Sequence, residues 1–231
     1  MRIGIVGPTE TEIMPFINKI SNKKLSEHAM LKFYSGVYEG VEVVAVICGV
    51  CKVNAAIATQ ILIDKFEVTH IIVTGVAGAL SKKLNIGDIV ISSDIAYHDV
   101  AEGILTEYHP WMEDIYFKPD AELLRVCKNA ANSLRISNEC FTGRIITGEA
   151  FITHNERDGL IEKFNPLCVD MESASIAHTC YVNNIPFIVI RSISDGANEN
   201  ASETFEMNAE RVALNSIKLV EELIKKLKME E

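Results

Sequence analysis

Along the first third of the chain the apolar positions come in short runs closed by turn residues. Ile3 to Val6 ends at Gly7-Pro8, and a Thr/Glu cluster then leads into an apolar-rich stretch that stops near Ile20, which predicts strand, turn and helix. Residues 31–37 and 41–48 alternate or run apolar around Glu39-Gly40, predicting a hairpin-like pair. Ala55, Ala58, Leu62 and Phe66 then recur at helical spacing within 53–66. Ile71-Ile72-Val73, running into Gly75-Val76-Ala77-Gly78, reads as a buried strand. Ile86 to Ile95 reads as another, 120–134 as a helix and 141–147 as a strand. The last third predicts a helix over 171–183, a strand at Phe187-Ile188-Val189-Ile190 and a long helix from about 204. On that helix Ala213, Ile217, Val220, Ile224 and Leu227 form one apolar stripe. Continuous apolar strands alternating with amphipathic helices predict an α/β fold: a three-layer αβα sandwich around a mixed, largely parallel twisted sheet. No linker, repeat or low-complexity tract divides the chain, so 1–231 is expected to be a single domain.

Composition narrows the function classes. With 22 Lys and Arg against 32 Asp and Glu, the formal charge of −10 opposes binding to nucleic acid or to an anionic membrane. No run reaches the roughly 18 apolar residues of a membrane span, and the opening MRIGIVGPTETE carries no secretion-signal pattern. The expectation is a cytoplasmic protein whose first residue is Met1. Its six cysteines, at 48, 51, 127, 140, 168 and 180, lie in apolar contexts and are expected to be reduced thiols. Cys48-x-x-Cys51 has no second pair and no histidine at zinc spacing, so two small apolar side chains beside Gly49 account for it better than a redox or metal site. No GxGxxG or Walker pattern occurs, and neither a metal nor a cofactor is called for.

In α/β sheets ligands bind beyond the carboxyl ends of the strands, which directs attention to four places. These are Gly7-Pro8-Thr9-Glu10-Thr11-Glu12, Val76-Ala77-Gly78, Ser194-Asp195-Gly196, and Asp170-Met171-Glu172 at a helix start. Each has a plain structural reading as well. Glu12 closes a Thr-x-x-Glu capping box if the helix begins after Thr9. That choice would put Pro15 well inside the helix, whereas Thr11 as cap would make Glu12 the first helical residue, free to face a site. Both readings of Glu12 stand on the residues alone. Glu172 suits a helix dipole, and Asp195 suits an ordinary loop after a strand.

The ordered motifs resemble one family. They are IGIVG followed by Glu12, CGVCKVNAA over 48–56, TGVAGAL over 74–80, GDIV over 87–90, YHD over 97–99, TGEAFI over 147–152, VDMESA over 169–174 and RSISD over 191–195. Together they are similar to the 5′-methylthioadenosine/S-adenosylhomocysteine nucleosidases of the nucleoside phosphorylase superfamily, and the resemblance spans essentially the whole chain. It implies hydrolysis of 5′-thio-substituted adenosines to adenine and a thioribose, without a cofactor. It further implies that Glu12 activates the attacking water with Arg191 nearby, and that Glu172, with Met171, grips the ribose hydroxyls. Asp195 would protonate N7 of the leaving adenine and Ser194 would orient it. Phe151 would stack on the purine while the backbone of Ile152 reads its edge. Val76, Ala77 and Gly78 would line the pocket, and Val50 and Phe205 would flank the 5′ substituent.

The roles fit the chemistry. Breaking an N-glycosidic bond builds positive charge on the ribose and negative charge on the purine, so it calls for anions at the sugar and a proton donor at the base. A phosphorylase would need cations beneath the sugar, yet no arginine occurs between Arg2 and Arg125, and the loop after the first strand is acidic. A purine-binding module without catalysis would not need the three carboxylates. The chain departs from the family at Thr9, where methionine is common, at Cys51, where glycine is usual, at Val76, where serine is frequent, and throughout 99–118. The resemblance implies a homodimer in which 99–118, with Tyr108, His109, Pro110 and Trp111, helps to close the partner's 5′ pocket.

Overall fold

The structure, a computed structural model, describes residues 1–134, 136–152, 154–198 and 201–230, with the side chains of 154 and 155 left aside. Nine strands and seven helices are described, in the order β1 (Arg2–Gly7), α1 (Glu10–Ile17), β2 (Ser21–His28), β3 (Leu31–Tyr38), β4 (Val41–Ile47), α2 (Lys52–Phe66), β5 (His70–Ala79), β6 (Ile89–Tyr97), α3 (Ile104–Glu107), α4 (Ala121–Ser133), β7 (Cys140–Thr147), α5 (His154–Phe164), β8 (Cys168–Asp170), α6 (Ser173–Asn183), β9 (Phe187–Asp195) and α7 (Ala201–Glu230).

The sheet has two parts. An open wing runs β2-β3-β4-β1 into β5, with β1 parallel to both β4 and β5. From β5 the sheet continues through β8, β7, β6 and β9 and closes on itself, because β9 also pairs in parallel with β5. The expected mixed αβα architecture is present, and closure of half the sheet into a ring is an addition to it. Val6, Val73, Val189 and Ile145 pack against Ala58 and Leu62 of α2 and Ile176 and Cys180 of α6. On the opposite face Ile5, Ile72 and Ile190 meet Phe16 of α1, Val126 of α4 and Ile217, Val220, Ile224 and Leu227 of the predicted α7 stripe. The apolar strands are thus covered on both sides, which is why they read as uninterrupted runs.

The ring fixes the site through a register shift. Ala77 pairs with Ile193 and Gly78 with Asp195, so Ser194 is an extra residue on β9. Such a bulge bends the strand and re-aims the next side chain, here Asp195.

Candidate active site

A cavity of about 290 Å³ opens beside the ends of β1, β5, β8 and β9, and its lining includes Glu12, Glu172 and Asp195. At its floor, α1 begins at Glu10 with Thr9 in the cap position, and Pro15 does lie inside the helix. The start after Thr11 is therefore overturned. The capping box is not formed either: the Thr9 hydroxyl donates to Glu12 Oε1 at 2.6 Å, and Oε2 accepts the Val76 backbone N–H at 2.8 Å. Glu12 is spent on the site and not on the helix end. Burial pushes its carboxyl above the usual range, against the pull of the Arg191 guanidinium.

Arg191 lies behind the cavity wall and is completely buried. Its Nε donates to Asp170 Oδ2 at 2.8 Å and its Nη2 to Glu172 Oε2 at 3.2 Å. Nη1 has no hydrogen-bond partner among the described residues. That group and Glu12 Oε2 both crowd Gly75, where an added Cβ would stand 2.3 Å and 2.5 Å from them. Only glycine lets the strand pass so close to the pair. Glu172, at the head of α6, also accepts the Cys51 N–H at 3.1 Å. Its pKa is pushed up to about 7, chiefly by burial and further by Asp170 and Glu12, with Arg191 opposing.

At the other end of the cavity, Asp195 Oδ1 accepts the Ala197 N–H and Oδ2 the Ser194 hydroxyl, each at 2.8 Å. Burial outweighs these two bonds and raises the Asp195 pKa, which favours a neutral acid. Ser194 therefore meets the carboxyl itself, and its Oγ also lies 3.3 Å from the Ala77 carbonyl. A Cβ on Gly78 would come within 2.9 Å of Asp195 Oδ1, so the strand must be bare there.

Val50, Val76, Ala77, Gly78, Phe151, Ile152, Met171, Ser194 and Phe205 all line the cavity. The Phe151 and Phe205 rings meet edge to face, with centroids 5.9 Å apart, at its mouth. The sequence reading assigned no role to Asp170, Ser173, Ala150, Val169 or Ala197. Asp170 was in view within its motif, but only contacts between distant strands show what it holds. The 99–118 segment is anchored by buried Met112 and Phe117 and displays Tyr108 and Trp111, both more than 60% exposed. All six cysteines are free, and no cluster of metal-ligating residues occurs among the described residues.

The chain matches the family model of the Phosphorylase superfamily over residues 2–225. A 5′-methylthioadenosine/S-adenosylhomocysteine nucleosidase of Exiguobacterium sp. is 38% identical over 98% of this chain and 99% of its own length. The solved structure of such a nucleosidase from Colwellia psychrerythraea, in complex with adenine, superposes with a TM-score of 0.93 at 36% identity, covering 98% of this chain and 96% of that one. The Neisseria meningitidis enzyme in complex with methylthio-immucillin-A gives 0.92 at 32% identity, covering 97% of this chain and 98% of that one. The chain belongs to the 5′-methylthioadenosine/S-adenosylhomocysteine nucleosidase family.

Proposed function

We propose that the protein hydrolyses the N-glycosidic bond of 5′-thio-substituted adenosines, releasing adenine and the thioribose, with residues 1–231 acting as one domain. The observation that carries this reading is the placement of acids at both ends of one cavity. Asp195, whose proton affinity burial raises, stands at one end, and Glu12 and Glu172 with the Arg191 guanidinium behind them stand at the other. Asp195 delivers its proton to N7 of the purine as the bond to the ribose lengthens. Glu12, steered by Val76 N–H and Thr9, takes a proton from a water, with the Arg191 guanidinium behind it, and that water attacks the anomeric carbon. Glu172 binds the ribose hydroxyls and stabilises the positive charge that grows on the ring. Once the proton leaves Asp195, Ser194 Oγ and Ala197 N–H stabilise the carboxylate.

Water is the nucleophile in this reading because no lysine, arginine or histidine lines the cavity among the described residues, and Arg191 is shared by acids. The test is adenine release from 5′-methylthioadenosine, S-adenosylhomocysteine and 5′-deoxyadenosine with and without phosphate. Equal rates with free thioribose as product are expected from the two thioethers; strict phosphate dependence or a ribose 1-phosphate product overturns hydrolysis. The exposed Tyr108 and Trp111 support a homodimer in which 99–118 reaches the partner's 5′ pocket. A fully active monomer in sedimentation would sink that arrangement. Six free thiols support a cytoplasmic setting, and no helix among the described residues is long and apolar enough to cross a membrane.

A further inference from the structure

Asp170 is the one buried acid at the cavity for which the reaction has no direct use. It ends β8, two residues before Glu172, and its carboxylate turns away from the ribose end into a cage of donors. Oδ1 accepts the Thr147 hydroxyl at 2.6 Å and the backbone N–H groups of Ser173 and Glu172 at 3.1 and 3.3 Å. Oδ2 accepts Arg191 Nε at 2.8 Å and a very short bond from the Ser173 hydroxyl. Ser173 Oγ in turn accepts from Arg191 Nε and Nη2 at 3.2 and 3.0 Å. One edge of the guanidinium is therefore taken up by Asp170 and Ser173, Nη2 also reaches Glu172, and Nη1 lies at Gly75 on the side where Glu12 Oε2 stands.

We propose that Asp170 is a positioning residue of the glycosidic hydrolysis, which clamps Arg191 by its Nε edge so that the guanidinium serves Glu172 and Glu12 together. The inference rests on the catalytic reading given above. One cation shared by three enclosed acids cannot fully compensate all of them, so the charge on Asp170 holds the proton affinity of Glu172 and Glu12 up. The other titratable groups facing this cluster are the Cys48 thiol after β4, the Cys51 thiol before α2, the Cys168 thiol on β8 and His98 after β6, with Glu149 beyond Cys51. None of these five bonds to the guanidinium.

The experiment is the pH profile of kcat and KM for 5′-methylthioadenosine with the full chain and its Asp170→Asn and Asp170→Glu variants. Asp170→Asn keeps the shape of the side chain and removes its charge. Turnover should fall about 10²-fold, the scale for a displaced catalytic group, while KM changes much less. The acid limb, where Glu12 and Glu172 must be ionised, should move to lower pH, because a neighbouring negative charge has been removed. Asp170→Glu restores the charge and should return the limb to its original pH. An unmoved limb in folded Asp170→Asn overturns the proposal, as does a loss confined to KM. If the asparagine variant does not fold, Asp170→Glu decides: an acid limb at the original pH supports the clamp, and a shifted one overturns it. Glu12→Gln run alongside separates the two layers. Retained turnover there defeats the catalytic reading, whereas its loss together with an unmoved Asp170→Asn profile defeats only the clamp.

Discussion

The two halves of the sheet are built to opposite rules. In the open wing β2 is polar and largely exposed along its length, and none of the buried charged residues of the described chain lies on β2, β3 or β4. In the closed ring and the segments that abut it, Glu12, Asp170, Glu172, Arg191 and Asp195 are all nearly sealed from solvent. Burying charge is costly, and a fold tolerates it where partners are fixed on several sides. Closing β9 onto β5 supplies that rigidity: it places Arg191 beside Gly75 and Asp195 beside Gly78. The wing extends the core, and the buried charges gather at the ring and at the α1 and α6 ends that abut it.

The comparison breaks most visibly at Asp195. Asp195→Asn retains size and loses the acidic proton, so turnover should fall about 10²–10⁴-fold with nucleoside binding much less affected. Glu12→Gln keeps the hydrogen bond from Val76 but takes up no proton. A loss of about 10²-fold in turnover, with binding retained, is expected. Near-native turnover in both variants would return these residues to ordinary structural roles. Steady-state kinetics paired with equilibrium binding of a non-hydrolysed analogue separates the outcomes.

Glu172 should fail differently, since the proposed mechanism has it bind the sugar in both ground and transition states. Glu172→Gln is expected to lose about 10-fold in binding as well as in turnover, the scale of a hydrogen bond to a charged group. It also reports on the cost of buried charge. The folded-state pKa of Glu172 is raised from 4.5 to about 7. The native fold therefore holds that proton more tightly than the unfolded chain. The resulting stability is fully present below pH 4.5 and lost as pH rises through about 7. Glutamine has no such loss, so the Tm of Glu172→Gln relative to the native chain should climb over that interval. A flat difference would mean that Arg191 keeps Glu172 ionised throughout.

Much of the ring half was legible because its strands carry strong local signals. Ile71 to Val73 and Phe187 to Ile190 are buried on both faces, and each runs into a small or polar motif at its carboxyl end. β2 escaped because SNKKLSEH has one large apolar residue, Leu25, and no alternation to read; it is held by pairing with β3 and not by burial. β8 spans only Cys168–Asp170, too short for any period, yet it delivers Asp170. α5 was also missed, with a weak apolar pattern between Leu160 and Phe164. The motifs singled out Glu12, Glu172 and Asp195, which line one cavity. What Arg191 touches, and why Gly75 must lack a side chain, depends on a β5–β9 register that no local pattern encodes.

The smallest expected effect compares two strained turns, one in each region. At the wing tip His28 pairs with Leu31, leaving Ala29-Met30 as a two-residue hairpin loop with φ of 50° and 63°. Both residues are left-handed, the conformation of a type I′ turn, for which Asn-Gly is the preferred pair. Beside the cavity, Cys51 has φ 79° and ψ 165°, a region that favours glycine, and its N–H reaches Glu172. Ala29→Asn with Met30→Gly should stabilise the protein by about 1 kcal/mol, or ~2–4 °C in Tm at this size, with kcat and KM unchanged. Cys51→Gly should relieve a similar strain, yet it frees the backbone that holds Glu172, so a gain in Tm should come with a raised KM. Thermal melts and kinetics on both variants test the contrast directly. A hairpin variant that gains stability but loses activity would show that the wing is coupled to the site. A Cys51→Gly protein with unchanged KM would show that the strain beside Glu172 is incidental to binding.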